Sequence, residues 1–238
     1  MKYFIALAGN IGAGKTTLAQ KLSKHLDWEL FEEPFETNPY LEKFYADMNA
    51  WAFHTEMSFL GQRLNHHVEI LKKPHSIIQD RCLYEGAEIF VKNLYQTNCL
   101  SKTDWQTYNH LYQNLIKTIK APDLIIYLNQ TPEQCLLNIQ KRGRDLEKTI
   151  EPNYLFQLDQ LYNEWKNKFS LCPILEIDLT RNDLINNEND FARFVVSLRQ
   201  KTSLNMESKR QNMNQKKTKK QTMIQDLDQK KLWLQSNL

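Results

Sequence analysis

One stretch near the N-terminus decides the fold, and it reads Gly9-Asn10-Ile11-Gly12-Ala13-Gly14-Lys15-Thr16. The spacing of its glycines before Lys15 and Thr16 matches a phosphate-binding P-loop. An apolar run over residues 2–8 predicts a buried strand before it, and three leucines spaced four apart within residues 18–26 predict a helix after it. The motif needs this order of strand, loop and helix, so the context favours a nucleotide site over a simple glycine-rich turn.

The chemistry of a P-loop assigns a role to each part of the stretch. Glycines let backbone N–H groups turn toward a phosphate, and the start of the following helix adds partial positive charge. Lys15 would reach the outer phosphates, and the hydroxyl of Thr16 would bind Mg²⁺. The predicted nucleotide-binding residues are Gly9, Asn10, Ile11, Gly12, Ala13, Gly14, Lys15, Thr16 and Thr17.

Length and composition are ordinary for a soluble protein. The 238 residues are 41% hydrophobic and 25% charged, which is enough for one core plus an extension. No run of about 18 apolar residues predicts a membrane span. The first strand begins at once, so we expect no signal or transit peptide. The four cysteines form no C-x-x-C pair, so we expect reduced thiols, no zinc site and a cytoplasmic protein.

Charge is distributed unevenly along the chain. Residues 201–238 contain nine Lys or Arg and three Asp or Glu, whereas residues 1–200 contain 22 basic and 25 acidic residues. The predicted domain spans residues 1–204, and residues 205–238 are predicted to form a disordered or loosely helical basic tail. Only the tail, with its Lys216-Lys217-Thr218-Lys219-Lys220 run, suggests any contact with nucleic acid.

The hydrophobic pattern predicts an α/β fold. Four further strand candidates cover residues 29–31, 76–79, 124–128 and 174–177. Helical patterns cover residues 40–72 (as one or two helices), 84–96, 104–119, 132–142, 153–169 and 188–200. Strands that alternate with long helices predict a parallel sheet with helices on both faces.

Four more motifs accompany the P-loop, each at a fixed place in the predicted order of elements. They are Glu32-Glu33-Pro34, Trp51-Ala52-Phe53-His54-Thr55-Glu56, Asp80-Arg81-Cys82-Leu83-Tyr84 and Arg142-Gly143-Arg144-Asp145-Leu146-Glu147. Each motif is weak alone, but all five in order resemble the deoxynucleoside kinases, most closely the bacterial deoxyadenosine/deoxyguanosine kinases. The resemblance covers about residues 1–200 and excludes the tail.

This resemblance implies a P-loop kinase fold with a five-stranded parallel sheet and an arginine-containing lid. It implies an ATP- and Mg²⁺-dependent enzyme of nucleotide salvage that transfers the γ-phosphoryl group of ATP to the 5′-hydroxyl of a deoxynucleoside. It also implies a homodimer, whose interface the apolar stripes do not locate.

The resemblance also assigns catalytic roles. Glu33 matches the carboxylate that accepts the proton of the 5′-hydroxyl, and strand ends are where ligands bind in parallel sheets. Arg81 matches the arginine that contacts this carboxylate and the moving phosphoryl group. Asp80 matches an acidic position near Mg²⁺. The lid arginines are Arg142 and Arg144. Cys82 departs from the serine that the family commonly has, which puts fine positioning in doubt but not the reaction class.

The substrate residues follow in the same way. Tyr45 and Glu147 match the pair that binds the sugar 3′-hydroxyl, and the ring of Tyr45 fills the space that a 2′-hydroxyl would need. Phe90 matches an aromatic residue against which the base packs. Phe53, from the segment before Glu56, completes the predicted pocket.

Glu56 gives a clue to the preferred base, because the family often has Gln there. An ionised carboxylate only accepts hydrogen bonds, which suits the adjacent N–H groups of guanine, whereas a protonated Glu56 would act like Gln and admit adenine or cytosine. Arg63, seven residues later on the same helix face, could reach O6 and N7 of guanine. Gly86 cannot hold this arginine as an acidic residue would, and leaves more room for a purine. The expectation is a purine deoxynucleoside kinase, with deoxyguanosine favoured.

Two other readings remain open from the sequence. A nucleoside monophosphate kinase of the thymidylate-kinase type shares the P-loop and lid, but it usually needs several arginines for the acceptor's phosphate, and residues 38–71 contain only Arg63. A non-enzymatic module could bind nucleotide or nucleic acid through the basic tail. A GTPase is less favoured, because the chain has no D-x-x-G and no N-K-x-D sequence.

Overall fold

The computed structural model describes residues 2–33, 35 and 37–202. The chain divides after Phe191 into two compact units. The predicted tail, residues 205–238, lies outside the described residues, so its boundary at residue 204 stays a prediction. Within the described part of the chain, no helix is long and apolar enough to cross a membrane.

A five-stranded sheet forms the centre of the first unit. Its strands are β1 (Phe4–Gly9), β2 (Glu29–Phe31), β3 (Ile77–Asp80), β4 (Leu124–Asn129) and β5 (Ile174–Asp178). They lie in the order β2-β3-β1-β4-β5, and every pair is parallel. Strand β1 is buried along its whole length because it lies in the middle of the sheet. The predicted parallel α/β sheet is confirmed.

Helices connect the strands. They are α1 (Lys15–Leu26), α2 (Leu41–Ala46), α3 (Met48–Lys72), α4 (Leu83–Glu85), α5 (Lys92–Gln96), α6 (Lys102–Thr118), α7 (Pro132–Arg142) and α8 (Pro152–Lys168). A final helical stretch covers residues 188–202. The predicted segment 40–72 is two helices, because Asp47 leaves helical geometry and caps α3 by accepting from the backbone N–H of Ala50.

The segment after β3 is not one regular helix. A π-helical turn over Gly86–Val91 separates α4 from α5, and such turns often occur at functional sites. Just before it, Arg81 has a backbone φ of 62°, a value that residues other than glycine rarely adopt. The local pattern predicted a helix here but gave no signal for either feature.

The P-loop depends on its glycines. Gly14 has a φ of 89° where α1 begins, and Gly12 has a φ of 79°. A Cβ atom on Gly12 would lie 2.3 Å from the carbonyl oxygen of Cys135, so any side chain would clash with α7. The side-chain amide of Asn138, one turn further along α7, donates to the carbonyl of Gly12 at 2.8 Å. The loop is thus packed directly against α7.

Candidate active site

Two adjoining cavities open at the carboxyl edge of the sheet. The first is lined by residues that include Glu33, Tyr45, Glu56, Arg63 and Arg81. The second is lined mainly by the P-loop, α7 and the loop after β5. Both are bordered by the same five residues, Gly12, Lys15, Thr16, Arg142 and Arg144. A donor in one cavity and an acceptor in the other would therefore meet at these residues.

Lys15 is held inside the P-loop. Its Nζ donates to the carbonyls of Gly9 at 2.9 Å and Asn10 at 2.8 Å. Burial, together with the nearby charge of Arg81, lowers the pKa of Lys15 to about 8. The side chain lies between the two cavities, where it could reach the outer phosphates of a nucleotide.

Thr16 and Asp80 form a pair suited to a divalent cation. The hydroxyl of Thr16 donates to Oδ2 of Asp80, while Oδ1 of Asp80 is buried and has no partner among the described residues. Burial raises the pKa of Asp80 above its ordinary range. A buried carboxylate oxygen with no partner, beside a hydroxyl, is the kind of hard oxygen donor set that Mg²⁺ prefers, so these residues fit the ion.

Glu33 follows β2 and lies between two arginines. Its Oε1 accepts from Nη2 of Arg63 at 2.6 Å, and its Oε2 accepts from Nε of Arg81 at 2.8 Å. Burial favours the neutral form, but the charges of Arg81 and Arg63 outweigh it and lower the pKa of Glu33 to about 2. The carboxylate is therefore ionised at neutral pH.

Arg81 has partners on several sides. Besides Glu33, its Nη1 contacts Oε1 of Glu85 at 3.3 Å and the hydroxyl of Tyr162 at 3.1 Å. Its guanidinium carbon lies 4.7 Å from the ring centroid of Phe90. Phe90 lines the first cavity, so the ring that was expected beside the base also packs against the catalytic candidate.

The two lid arginines meet Glu147. Nε and Nη2 of Arg142 donate to Oε2 of Glu147 at 3.0 and 2.5 Å, and Nη1 of Arg144 lies 3.7 Å from Oε1. Arg144 also lies over the ring of Phe35, 4.8 Å from its centroid. Glu147 and Tyr45 line the same cavity, so the predicted sugar-binding pair is brought together.

The region expected to read the base contains several buried polar atoms without partners. Among the described residues these include Oε2 of Glu56, Nε and Nη1 of Arg63, and the hydroxyl of Tyr108. Burial raises the pKa of Glu56 to about 7. Such atoms are costly to leave unpaired, and a hydrogen-bonding ligand would satisfy them.

Gly86 lies against Arg63 rather than against open space. A Cβ atom built on Gly86 would be 2.5 Å from Nη1 of Arg63 and 3.6 Å from the hydroxyl of Tyr108. The room that Gly86 leaves is thus occupied by the guanidinium. Gly86 and Phe53 are not among the residues that line the first cavity, and Phe53 packs edge-on against His54.

Sequence reasoning missed several residues of the site. Glu85 and Tyr162 form hydrogen bonds with Arg81. Tyr108 lies beside Gly86 and Arg63. Four further residues line the cavities, namely Phe35, Tyr154, Ile185 and Asn186. Glu85 had a detectable signal, since it is a charged residue inside an apolar run. The tyrosines had none, because they follow the apolar stripes of α6 and α8 like ordinary core residues.

Comparison with known proteins agrees with this geometry. The family model for deoxynucleoside kinases matches residues 5–203. A deoxyadenosine/deoxycytidine kinase of Bacillus subtilis is 35% identical over 193 residues, which cover 80% of this chain and 89% of that protein. A deoxyguanosine kinase of the same organism is 33% identical over 205 residues, covering 83% and 96%. The solved structure of a deoxyadenosine kinase from M. mycoides with bound dATP superimposes with a TM-score of 0.74 at 30% identity, covering 83% of this chain and 99% of that one.

The chain belongs to the deoxynucleoside kinase family and has its P-loop kinase fold. It is an ATP-dependent phosphotransferase of that family, which decides between the two enzyme classes that the sequence left open. The binding-module alternative rests on residues 205–238, which lie outside both the described residues and the family match.

Proposed function

We propose that this enzyme transfers the γ-phosphoryl group of ATP to the 5′-hydroxyl of a purine deoxynucleoside in nucleotide salvage, with deoxyguanosine favoured. The observation that carries the proposal is the pair of cavities that meet at Lys15, Thr16, Arg142 and Arg144. One cavity has a phosphate loop, and the other has a carboxylate between arginines and a set of polar atoms that a base would satisfy.

ATP occupies the second cavity. Its phosphates lie on the P-loop, where backbone N–H groups and the start of α1 compensate their charge. Thr16 and Asp80 would hold Mg²⁺, which would neutralise part of the phosphate charge. Ile185 and Asn186, in the loop after β5, border the same cavity and are the nearest candidates for contacts with the rest of the nucleotide.

The deoxynucleoside occupies the first cavity. Tyr45 and Glu147 bind its 3′-hydroxyl, which places the 5′-hydroxyl near Glu33. Glu33 accepts the proton of that hydroxyl as the oxygen attacks phosphorus. Arg81, Arg142 and Arg144 stabilise the charge that spreads over the phosphoryl oxygens during in-line transfer.

The base is read by Glu56 and Arg63. An ionised Glu56 accepts from N1–H and N2–H of guanine, while Arg63 donates to O6 and N7. A pKa of about 7 leaves Glu56 partly protonated at neutral pH, and the protonated form suits adenine. The relatives do not choose between these bases, because their names include deoxyadenosine, deoxycytidine and deoxyguanosine kinases.

A phosphoryl-transfer assay tests the proposal. It compares kcat/KM for deoxyguanosine, deoxyadenosine, deoxycytidine, thymidine and thymidine monophosphate with ATP and Mg²⁺ at pH 8. We expect the purine deoxynucleosides to be converted to 5′-monophosphates with the highest kcat/KM, deoxyguanosine first. Preference for a pyrimidine deoxynucleoside would overturn the base assignment, and turnover of only the monophosphate would overturn the role of Glu33.

Three further predictions accompany the proposal. A cytoplasmic location stays a prediction. We also expect a homodimer, so light scattering on the purified chain in solution should give twice the monomer mass.

Deletion of residues 205–238 is expected to leave kinase activity intact, whereas a protein that acts through its tail would lose nucleic-acid binding and the salt dependence of that binding.

A further inference from the structure

A buried carboxylate behind the P-loop has no part in the mechanism above. Glu85, in α4, has 0% of its surface exposed. A buried charge is costly unless it is paired and hydrogen-bonded, so a fully enclosed Glu beside a reaction centre needs a physical reason.

Both oxygens of Glu85 are fully engaged. Oε1 accepts from the backbone N–H of Gly9 at 3.1 Å, from the hydroxyl of Tyr162 at 2.7 Å and from Nη1 of Arg81 at 3.3 Å. Oε2 accepts from the backbone N–H of Cys82 at 3.1 Å and from its thiol at 3.6 Å. One carboxylate thus joins the first residue of the P-loop to the catalytic arginine candidate.

Tyr162 completes the same connection from α8. Its hydroxyl accepts from Nη1 of Arg81 at 3.1 Å and lies 2.9 Å from the carbonyl oxygen of Gly9, and its single proton serves either that carbonyl or Glu85. The ring is stacked on Tyr127 of β4, with centroids 5.6 Å apart. Both backbone groups of Gly9 are therefore tied to the two side chains that hold Arg81.

These contacts determine where the rest of the guanidinium points. Nε of Arg81 is bound to Glu33 and Nη1 to Glu85 and Tyr162, whereas Nη2 donates to no residue in the described part of the chain. A guanidinium is rigid and planar, so fixing two nitrogens fixes the third. The backbone φ of 62° at Arg81 is an unfavourable conformation that surrounding contacts must maintain.

We propose that Glu85, together with Tyr162, is a positioning residue that fixes Arg81 relative to the P-loop and so aims its free nitrogen at the transferring phosphoryl group. This inference rests on the role proposed above for Arg81. Glu85 itself lines neither cavity, so it acts on the substrates only through Arg81 and the P-loop. Its loss should therefore slow transfer without weakening substrate binding.

The experiment compares Glu85→Gln and Tyr162→Phe with matched controls. Tyr127→Phe removes a hydroxyl from the ring that stacks on Tyr162, and Glu164→Gln removes an exposed charge from the same helix, α8. In both test variants we expect kcat to fall about tenfold to a hundredfold while KM for deoxyguanosine stays within about threefold. Both controls should retain wild-type kcat.

A second pair of variants separates this inference from the proposed function. If Glu85 acts through Arg81, adding Glu85→Gln to Arg81→Lys should lower kcat no further, because the groups act as a unit. The inference would be overturned if the double variant lost kcat by the product of the two single-variant losses. It would also be overturned if Tyr162→Phe kept the wild-type kcat. If Glu85→Gln does not fold, the result with Tyr162→Phe decides. A fully active Arg81→Lys would instead overturn the role of Arg81 itself.

Discussion

Arg63 donates to Glu33, with 2.6 Å between Nη2 and Oε1, although Glu56 lies seven residues earlier on the same helix. The residue proposed to read the base is thus joined to the residue proposed to accept the proton. A purine that draws Arg63 away would leave Glu33 with only Arg81 and Lys15 to stabilise its charge, so the pKa of Glu33 would rise from about 2. The proposed recognition of the base and the proposed acceptance of the proton are therefore physically coupled through Arg63.

Gly86→Ala tests the position of Arg63. The new methyl group would lie 2.5 Å from Nη1 of Arg63, so the guanidinium must move. We expect KM for deoxyguanosine to rise about tenfold, because a displaced guanidinium loses its alignment with the base. Steady-state kinetics with deoxyguanosine at saturating ATP measures this effect.

Gly61→Ala is the matched control, because Gly61 lies on α3 between Glu56 and Arg63. A Cβ atom there meets nothing within 4 Å, so KM should be unchanged. An Ala in an exposed helix interior should also raise the free energy of unfolding by about 1 kcal/mol. An unchanged KM in Gly86→Ala would show that the contact with Arg63 has no bearing on base binding.

Much of the fold follows from local patterns. The strand before the P-loop, the buried run of β4 and the helix over Pro132–Arg142 all have periodicities that sequence resolves. The π-helical turn at Gly86–Val91 cannot be predicted from the local pattern, because the same apolar run also fits a regular helix. The strained φ of Arg81 is likewise set by tertiary contacts.

The site was predictable only as far as its motifs extend. Motif positions named Glu33, Arg81 and Glu147, and the structure brings all three to one cavity. The pairing of Arg63 with Glu33 was not predictable, because their separation of 30 residues leaves the choice between Glu33 and Glu56 to the tertiary fold. The contact between the Tyr162 hydroxyl and Arg81 was not predictable for the same reason, because 81 residues separate the two in sequence.

The preference between purines should depend on pH. Glu56 has a pKa of about 7, raised by burial, while Arg63 and Arg81 favour its ionised form and Glu33 opposes it. Below pH 7 the carboxyl is protonated and can donate to adenine, and above pH 7 it is ionised and suits guanine. The ratio of kcat/KM for deoxyguanosine to that for deoxyadenosine follows the ratio of ionised to protonated Glu56, so it should rise by up to about a hundredfold between pH 6 and 8.

The same profile in Glu56→Gln is the control, because an amide does not titrate in this range. Its ratio should be flat with pH. A wild-type ratio that is equally flat would contradict a titrating Glu56 at the base.

Glu33→Gln should lower kcat about a thousandfold, as expected for the loss of a general base. It also leaves the buried guanidinium groups of Arg63 and Arg81 without their shared carboxylate, so the melting temperature should fall. Glu164→Gln, at an exposed carboxylate of α8 that lines neither cavity, is the control and should stay active. Retention of kcat in folded Glu33→Gln would mean that another group accepts the proton.

Asp80→Asn tests the ion site. The change removes the charge beside Thr16, so the Mg²⁺ concentration that gives half-maximal activity should rise at least about tenfold. Asp159→Asn, on α8, removes a carboxylate that accepts from Asn163 and should leave the Mg²⁺ requirement unchanged. Equal Mg²⁺ titrations for wild type and Asp80→Asn would place the ion elsewhere.

The role of Glu56 in choosing the base is tested most directly by the ratio of kcat/KM for deoxyguanosine to that for deoxyadenosine at pH 8, measured in the wild type and in Glu56→Gln. We expect the wild type to favour deoxyguanosine and the ratio to fall at least about tenfold in the variant, because Gln presents a donor to guanine N1–H and N2–H. A wild type that favours deoxyadenosine at this pH, or a ratio that Glu56→Gln leaves unchanged, would contradict it.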